Sequence, residues 1–311
     1  MCKNKRIVFM GTPEIASIVL EGLIESGFNI VAVVAQEDKP FGRKKVLKEV
    51  PTKVIANKYN IPVYQPHKIR LDYEFLKEIK PDLILTCAYG QIVPQGLLDI
   101  PSLGSLNLHG SLLPKYRGAS PIQQALIHDD KVSGVTLMEM IDKMDAGRMY
   151  YKKEVLVDED DNYTSLYNKI ATCALQVAKE GLPLYFEGKL IGEEQNEEDV
   201  TICSKITKED EHLSLDYTKE EFVNWVRGLS FEPGGYLYLD DKVFKILKAH
   251  VHSLEVKDEI GKIIKADKNG LILQLKDGTV MLDEVQKQGK NRMDYKSFVN
   301  GNQNILGKIL K

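Results

Sequence analysis

The sequence predicts an α/β protein in two parts, a doubly wound and mostly parallel sheet followed by a small β-barrel. Three observations carry that reading. Two short runs rich in β-branched residues, 6–10 (Arg-Ile-Val-Phe-Met) and 30–35, flank an amphipathic segment, the pattern of a strand–helix–strand unit with buried strands. Residues 193–199, Glu-Glu-Gln-Asn-Glu-Glu-Asp, break the apolar periodicity with a polar acidic run. Beyond Thr218 the chain turns to short extended runs separated by turn signals, the spacing expected of a small barrel. The expected boundaries are a first domain over 1–187, a linker over 188–205 and a second domain over 206–311.

In chain order, the first strand breaks at Gly11-Thr12-Pro13-Glu14. Thr12 can cap a helix, Pro13 suits its first position, and Glu14 favours its positive end. The helix runs to about Gly27, burying Ile15, Ile18, Val19, Leu23 and Ile24, and a right-handed crossover leads to a parallel second strand. The turn lacks a full Gly-x-Gly-x-x-Gly, which disfavours a dinucleotide cofactor. Residues 38–45, Asp-Lys-Pro-Phe-Gly-Arg-Lys-Lys, are a poor recipe for a packed element. They read either as a solvated loop or as a partner for phosphate oxygens. Helices follow over 51–59 and 71–79, with a short extended segment at 61–64 and a third buried strand at 82–88. That strand opens into Tyr89-Gly90-Gln91-Ile92-Val93-Pro94. Doubly wound sheets bind ligands at such strand-end loops, although Tyr89 fits simple packing equally well.

Residues 104–108 form a further short strand, and 122–127 read as a helix opened by Gly118 and Pro121. A strand at 134–140 would deliver Asp142 and Asp145 to the same end of the sheet. An extended stretch at 149–156 precedes a long helix over 163–187, in which Leu166, Ile170, Ala174, Val177 and Leu182 share one face and Cys173 is an inert core residue. In the second domain Thr218-Lys219-Glu220-Glu221 starts a helix with a capping-box pattern, burying Phe222, Trp225 and Val226. Runs at 235–239, 243–250, 261–266, 271–275 and 279–285 are the barrel strands. From Lys242 onward 14 basic residues stand against eight acidic ones, an electrostatic footprint in which Lys287, Lys290 and Arg292 cluster.

With 311 residues and 43% hydrophobic content, the chain can bury one large core or a medium and a small one. Its net charge of −3 excludes an overall cationic nucleic-acid binder, so any RNA contact must rest on local charge. Cys2, Cys87, Cys173 and Cys203 are scattered without a Cys-x-x-Cys pair, pointing to a reducing compartment and no structural zinc. His67, His128, His212, His250 and His252 lack metal-ligand spacing. The first apolar run stops at Met10, too short for a signal peptide, and no run spans a bilayer. The expectation is a soluble cytoplasmic protein with no membrane partner, by default a monomer.

The candidate chemistry lies in 106–121, Leu-Asn-Leu-His-Gly-Ser-Leu-Leu-Pro-Lys-Tyr-Arg-Gly-Ala-Ser-Pro. Asn107 and His109 are two apart, so on a strand both leave by one face. An amide and an imidazole there can polarise a carbonyl and handle a proton; they can also simply cap the strand and satisfy loop backbone. Joined to Asp142-Lys143-Met144-Asp145-Ala146-Gly147, the motif resembles that of the 10-formyltetrahydrofolate-dependent formyltransferases. Over nearly its whole length the chain is similar to the group of them that formylates methionyl-tRNA.

The resemblance implies a Rossmann-like formyltransferase domain and an OB-like tRNA-binding domain. It also implies 10-formyltetrahydrofolate as co-substrate, no metal, and initiator methionyl-tRNA as the acceptor, for translation initiation. The family's catalytic asparagine, histidine and aspartate fall on Asn107, His109 and Asp145. Ser111, Leu112, Leu113 and Pro114 would form one wall for the folate, with Tyr89, Gly90 and Asp142 also bordering it. Lys39, Arg43, Lys44 and Lys45 would contact the acceptor stem, Arg43 being the key arginine, and Lys287, Lys290 and Arg292 would add contacts from the barrel. The chain departs from the family's pattern at Gly110, where many relatives carry proline, at Phe41, where a smaller residue is common, and around Lys287 and Asn291, where a proline and a second lysine are usual.

Moving a formyl group between nitrogens needs an unprotonated amine, a polarised carbonyl and a route for protons. Asn107 and His109 are assigned to the oxygen, and Asp145 to orienting His109 and accepting the amine's proton, directly or through water. Three other readings share parts of the pattern: a sugar-nucleotide N-formyltransferase, a 10-formyltetrahydrofolate hydrolase and a non-catalytic tRNA-binding module. The basic stretch at 38–45 and the cationic barrel stand against the first, the sheet beginning at Arg6 against the second, and the intact Asn107, His109 and Asp145 against the third.

Overall fold

The computed structural model describes residues 4–41, 46–252 and 258–311. The first strands and helices are β1 (Ile7–Gly11), α1 (Glu14–Glu25), β2 (Ile30–Val34), β3 (Lys39–Phe41), β4 (Val46–Lys48), α2 (Pro51–Lys58), β5 (Val63–Tyr64), α3 (Phe75–Ile79) and β6 (Leu83–Cys87). After these come α4 (Gln95–Leu98), β7 (Ser105–His109), β8 (Arg117–Gly118), α5 (Pro121–Ile127), β9 (Val132–Glu139), β10 (Met149–Leu156), α6 (Tyr163–Phe186) and β11 (Ile202–Cys203). The main sheet has the order β10-β9-β7-β6-β1-β2-β5. Its members from β7 to β5 run parallel, while β9 is antiparallel to β7 and β10 to β9. β1 and β6 are buried along their whole length, which is why they read as continuous apolar runs rather than alternating ones. The order reverses between β1 and β6, so the strand ends beside that point are the natural ligand crevice.

Three local expectations need correction. Pro13, not Thr12, occupies the cap position of α1. The Thr12 hydroxyl instead donates to the Tyr89 carbonyl and accepts from the Gln36 amide, tying three strand ends together. Residues 38–45, expected to hold no packed element, contribute β3, whose Lys39, Pro40 and Phe41 pair antiparallel with Lys48, Leu47 and Val46 of β4. Asp38 anchors the root of this ribbon by accepting from Lys53 Nζ, Gln65 Nε2 and the Val50 amide. Burial works to raise the Asp38 pKa, but the Lys53 contact and the other donors outweigh it and hold the carboxyl below its ordinary value. Arg43, Lys44 and Lys45 lie outside the described residues. The helix expected over 71–79 is confined to α3, and Leu71 is exposed.

The chain divides into two compact units, 1–121, 132–156 and 167–203 forming the first and 122–131, 157–166 and 204–311 the second. The second contains α7 (Lys219–Leu229), β12 (Tyr236–Leu239), β13 (Lys242–His252), β14 (Ile263–Asp267), β15 (Gly270–Leu275), β16 (Gly278–Lys287), β17 (Met293–Asp294) and α8 (Tyr295–Asn300). Its antiparallel sheet has the order β12-β13-β16-β15-β14, with β17 on β16. Residues 308–311 close it towards a barrel. Lys311 exchanges two backbone hydrogen bonds with Tyr238 of β12, and Lys308 and Leu310 bond Ile263 and Gly261 at the start of β14. Phe222, Leu237, Phe244, Ile246, Leu273 and Phe298 fill the interior. Thr218 and Glu221 form the expected capping box on α7. From the same helix Arg227 donates to the carbonyls of Asp158 and Asp161, which is how 157–166 belongs to this unit.

Candidate active site

β7 brings Asn107 and His109 out by one face at the carboxyl end of the parallel sheet. His109 is 6% exposed, and its Nε2 lies 2.8 Å from the Tyr116 carbonyl. A carbonyl only accepts, so this nitrogen carries the hydrogen and Nδ1 is left facing Asp145, whose Oδ2 is 3.6 Å away. The carboxylate is pinned from another side, Oδ2 accepting from the Gly118 amide at 2.9 Å. The three catalytic candidates therefore do not form one continuous hydrogen-bonded chain. His109 and Asp145 meet across a gap just too wide for a direct bond.

Asp145 has φ +50°, a left-handed conformation that costs a β-carbon residue about 1–3 kcal/mol unless its surroundings over-determine it. They do. Gln195 Nε2 donates to the carbonyls of both Asp145 and Gly147, each at 2.8 Å. Gln195 Oε1 accepts from Arg117 Nε at 2.9 Å, and Arg117, 3% exposed, also bonds Glu197 at 3.1 Å. Arg117 and then Lys143 hold the Glu197 carboxyl below its ordinary pKa. Gly147 is required for packing, since a β-carbon there would sit 2.1 Å from the Glu139 carbonyl.

Asn107 is half-buried, and its side chain makes no hydrogen bond among the described residues. Its register partner on β6 is Thr86, whose buried Oγ1 also lacks a partner. A buried hydroxyl without a partner beside a half-buried amide without a protein partner, at a sheet's carboxyl end, suits a small molecule with carbonyl and amide functions.

The loop after β7 is braced from within. Thr136 Oγ1 donates to the Ser111 carbonyl and accepts from the Leu113 amide, Ser111 Oγ donates to the Lys115 carbonyl, and Lys152 Nζ donates to the Leu113 carbonyl. Burial lowers the Lys152 pKa. The residues expected around the folate differ in exposure. Ser111 is buried, and Leu113 packs with Met138 and Met149, so these side chains shape the loop from behind. Leu112 and Pro114 are half-buried, and Gly90 and Asp142 are exposed. Tyr89 is 2% exposed within the cluster of Val8, Met10, Ile69 and Leu76, and burial pushes its phenol up to about 12. Only the Tyr89 backbone works at the strand ends, its carbonyl accepting from Thr12 Oγ1 and from Gln36 Nε2 at 2.8 Å.

The stretch expected as linker has a larger part up to residue 203. Glu193 and Met149 exchange backbone bonds, the Tyr116 amide donates to Thr201 Oγ1, and β11 pairs with β8. Sequence reasoning missed Thr86, Arg117 and Gln195 as site residues. The only available signal for Gln195 was an uncharged amide within an acidic run.

The expected tRNA residues are dispersed in their roles. Lys39 and Lys290 are exposed. Lys287 is half-buried, bonds Asn302 Oδ1 and lies 5.5 Å from the Phe298 ring, so it braces the barrel instead of reaching outward. Arg292 stacks over Phe231 at 4.7 Å and lies 3.4 Å from Glu284, with its side chain 59% exposed. Among the described residues no cluster of three or more His, Cys, Asp or Glu could hold a metal ion, and no helix is long and apolar enough to cross a membrane.

The formyl transferase family model matches residues 5–182, and the model for the formyl transferase C-terminal domain matches 205–303. A methionyl-tRNA formyltransferase of Malacoplasma penetrans is 41% identical over 311 residues, covering 100% of this chain and 98% of the relative. One from Bacillus subtilis is 41% identical over 308 residues, covering 98% and 97%. Among solved structures, an N-formyltransferase from Helicobacter canadensis in complex with folinic acid and dTDP-3-aminofucose shares the fold, with a TM-score of 0.68 and 19% identity over 91% of this chain and 99% of that one.

Proposed function

This chain belongs to the formyl transferase family, and from that premise we propose that it moves a formyl group from 10-formyltetrahydrofolate to the free amino group of methionyl-initiator tRNA, for translation initiation. The observation that carries the chemistry is the gap between His109 Nδ1 and the Asp145 carboxylate, beside an Asn107 amide that has no partner within the described residues. The folate supplies the one-carbon unit. Asn107 donates to the formyl oxygen and polarises the carbonyl for attack. Asp145, held by Gly118, faces the attacking amine and takes its proton directly or through a water in the gap. His109 keeps its Nε2 hydrogen on Tyr116 throughout and can accept at Nδ1. A proton taken up there gives Nδ1 one hydrogen, which bonds the Asp145 carboxylate and leaves the developing negative charge to Asn107. A carbon–nitrogen bond forms to the amino group, the one to the donor nitrogen breaks, and the proton taken from the amine returns to that leaving nitrogen.

The first unit would carry this chemistry, with Leu112, Pro114, Gly90 and Asp142 around the folate, and the basic residues of the barrel and of 39–45 would hold the tRNA. Such a task belongs to the cytoplasm. The test is to give the purified protein 10-formyltetrahydrofolate with charged initiator tRNA, with a nucleotide-linked amino sugar, or with water alone. Formyl should appear on methionyl-tRNA; formyl found only on the sugar, or only as free formate, overturns the proposal.

A further inference from the structure

We propose that Gln195 is a positioning residue for the formyl transfer, fixing the Asp145 carboxylate relative to His109; this rests on the function proposed above. Three hydrogen bonds hold its amide, two given and one received. Two hydrogens hold the carbonyls of Asp145 and Gly147, on either side of a turn with positive φ at Asp145, and the oxygen is held by Arg117. The contacts close a ring. Arg117 reaches the Asp145 backbone through Gln195, while its neighbour Gly118 holds the Asp145 carboxylate directly at 2.9 Å.

The residue before them, Tyr116, accepts the His109 hydrogen at 2.8 Å. Three consecutive residues thus fix the imidazole, the backbone of Asp145 and the carboxylate of Asp145 against one another. The stretch 188–203 also supplies Glu197 to Arg117 and Thr201 to the Tyr116 amide, but Gln195 is its residue that reaches the Asp145 turn, and it is 8% exposed within a run that is otherwise mostly exposed and charged. Burying an amide in such a run is explained by what it holds. Asp145 must face its proton donor to within a fraction of an ångström, and a misplacement of about 1 Å costs roughly 100-fold in rate.

The test compares wild type with Gln195→Glu, which keeps the length and the Arg117 contact but sets an acceptor against two carbonyls, and with Gln195→Met, which keeps the volume and loses all three bonds. Both should lower kcat by about 100-fold, leave KM for the folate and for the tRNA near wild type, and displace the pH profile of kcat. If Gln195→Glu does not fold, Gln195→Met carries the test. In an Asp145→Asn background, measured by single turnover, either change should add no further loss, because the group being positioned is already gone. An active wild type with unchanged kcat in both variants overturns the inference alone, as does a loss that multiplies fully with Asp145→Asn. A wild type that formylates no methionyl-tRNA overturns the proposed function, and the inference falls with it.

Discussion

At the carboxyl end of the parallel sheet, His109, Arg117, Asp145 and Gln195 are buried or half-buried, and each is met by two or more groups. On the barrel, Lys290 stands in solvent, Arg292 rests on Phe231 beside Glu284 with most of its side chain exposed, and Lys287 is taken up in packing. The contrast follows from what each region is asked to do. A proton moved between an amine and a carboxylate needs fixed distances, and fixed distances need bracing. A phosphate backbone attracts cations over several ångströms and tolerates slack, so its partners can stay mobile and hydrated.

The largest expected effect tests the braced region. Asn107→Ala and Asp145→Ala should each lower kcat by roughly 100- to 1,000-fold, as removal of an oxyanion donor or of a general base does elsewhere, with tRNA affinity unchanged in a filter-binding assay. Loss of binding in place of rate would erase the distinction between the two regions. Next, Lys290→Ala with Arg292→Ala should weaken tRNA binding and flatten its salt dependence by about one unit of slope for each phosphate left without its cation. In that variant kcat at saturating tRNA should remain at the wild-type value. A smaller effect is expected for Thr86→Val. Removing a buried hydroxyl without a partner should leave thermal stability equal or raised by up to about 1 kcal/mol, while KM for the folate rises; a falling melting temperature would mean that the hydroxyl is satisfied from within.

The smallest effect concerns Asp38, which neither reacts nor sits on the barrel. Its pKa is depressed in the folded chain, with Lys53 the leading stabiliser of the charged form. Its contribution should be complete above an unfolded value near 3.8 and drain away as the pH falls through the lower folded value. Lys53→Met should flatten the acid limb of a stability-against-pH curve, and an unchanged limb would remove Asp38 from the account.

Much of the frame was legible in the sequence because burial leaves a period. β1 and β6 stand as unbroken apolar runs since both faces are covered, and Thr218 with Glu221 announces α7 because a capping box is local chemistry. Asn107, His109 and Asp145 were legible through their motif. Gln195 was not, because its partners are carbonyls whose directions depend on a turn 50 residues away along the chain. Tyr89 was ambiguous for a different reason: an aromatic at a strand end reads the same whether its ring enters the core or a pocket, and here the core takes it. β3 escaped notice since it spans three residues and includes Pro40, which lacks a ladder donor. The hold of Arg227 on the carbonyls of Asp158 and Asp161 is likewise invisible along the chain, because it joins groups 69 and 66 residues apart.

The way residues 308–311 seal the barrel bears on how the protein can be handled. Cut away, they would bare the rims of β12 at Tyr238 and of β14 at Ile263. Bare rims invite strands from other molecules. A trimmed version would then clump during purification, and its silence in any assay would say nothing about the reaction.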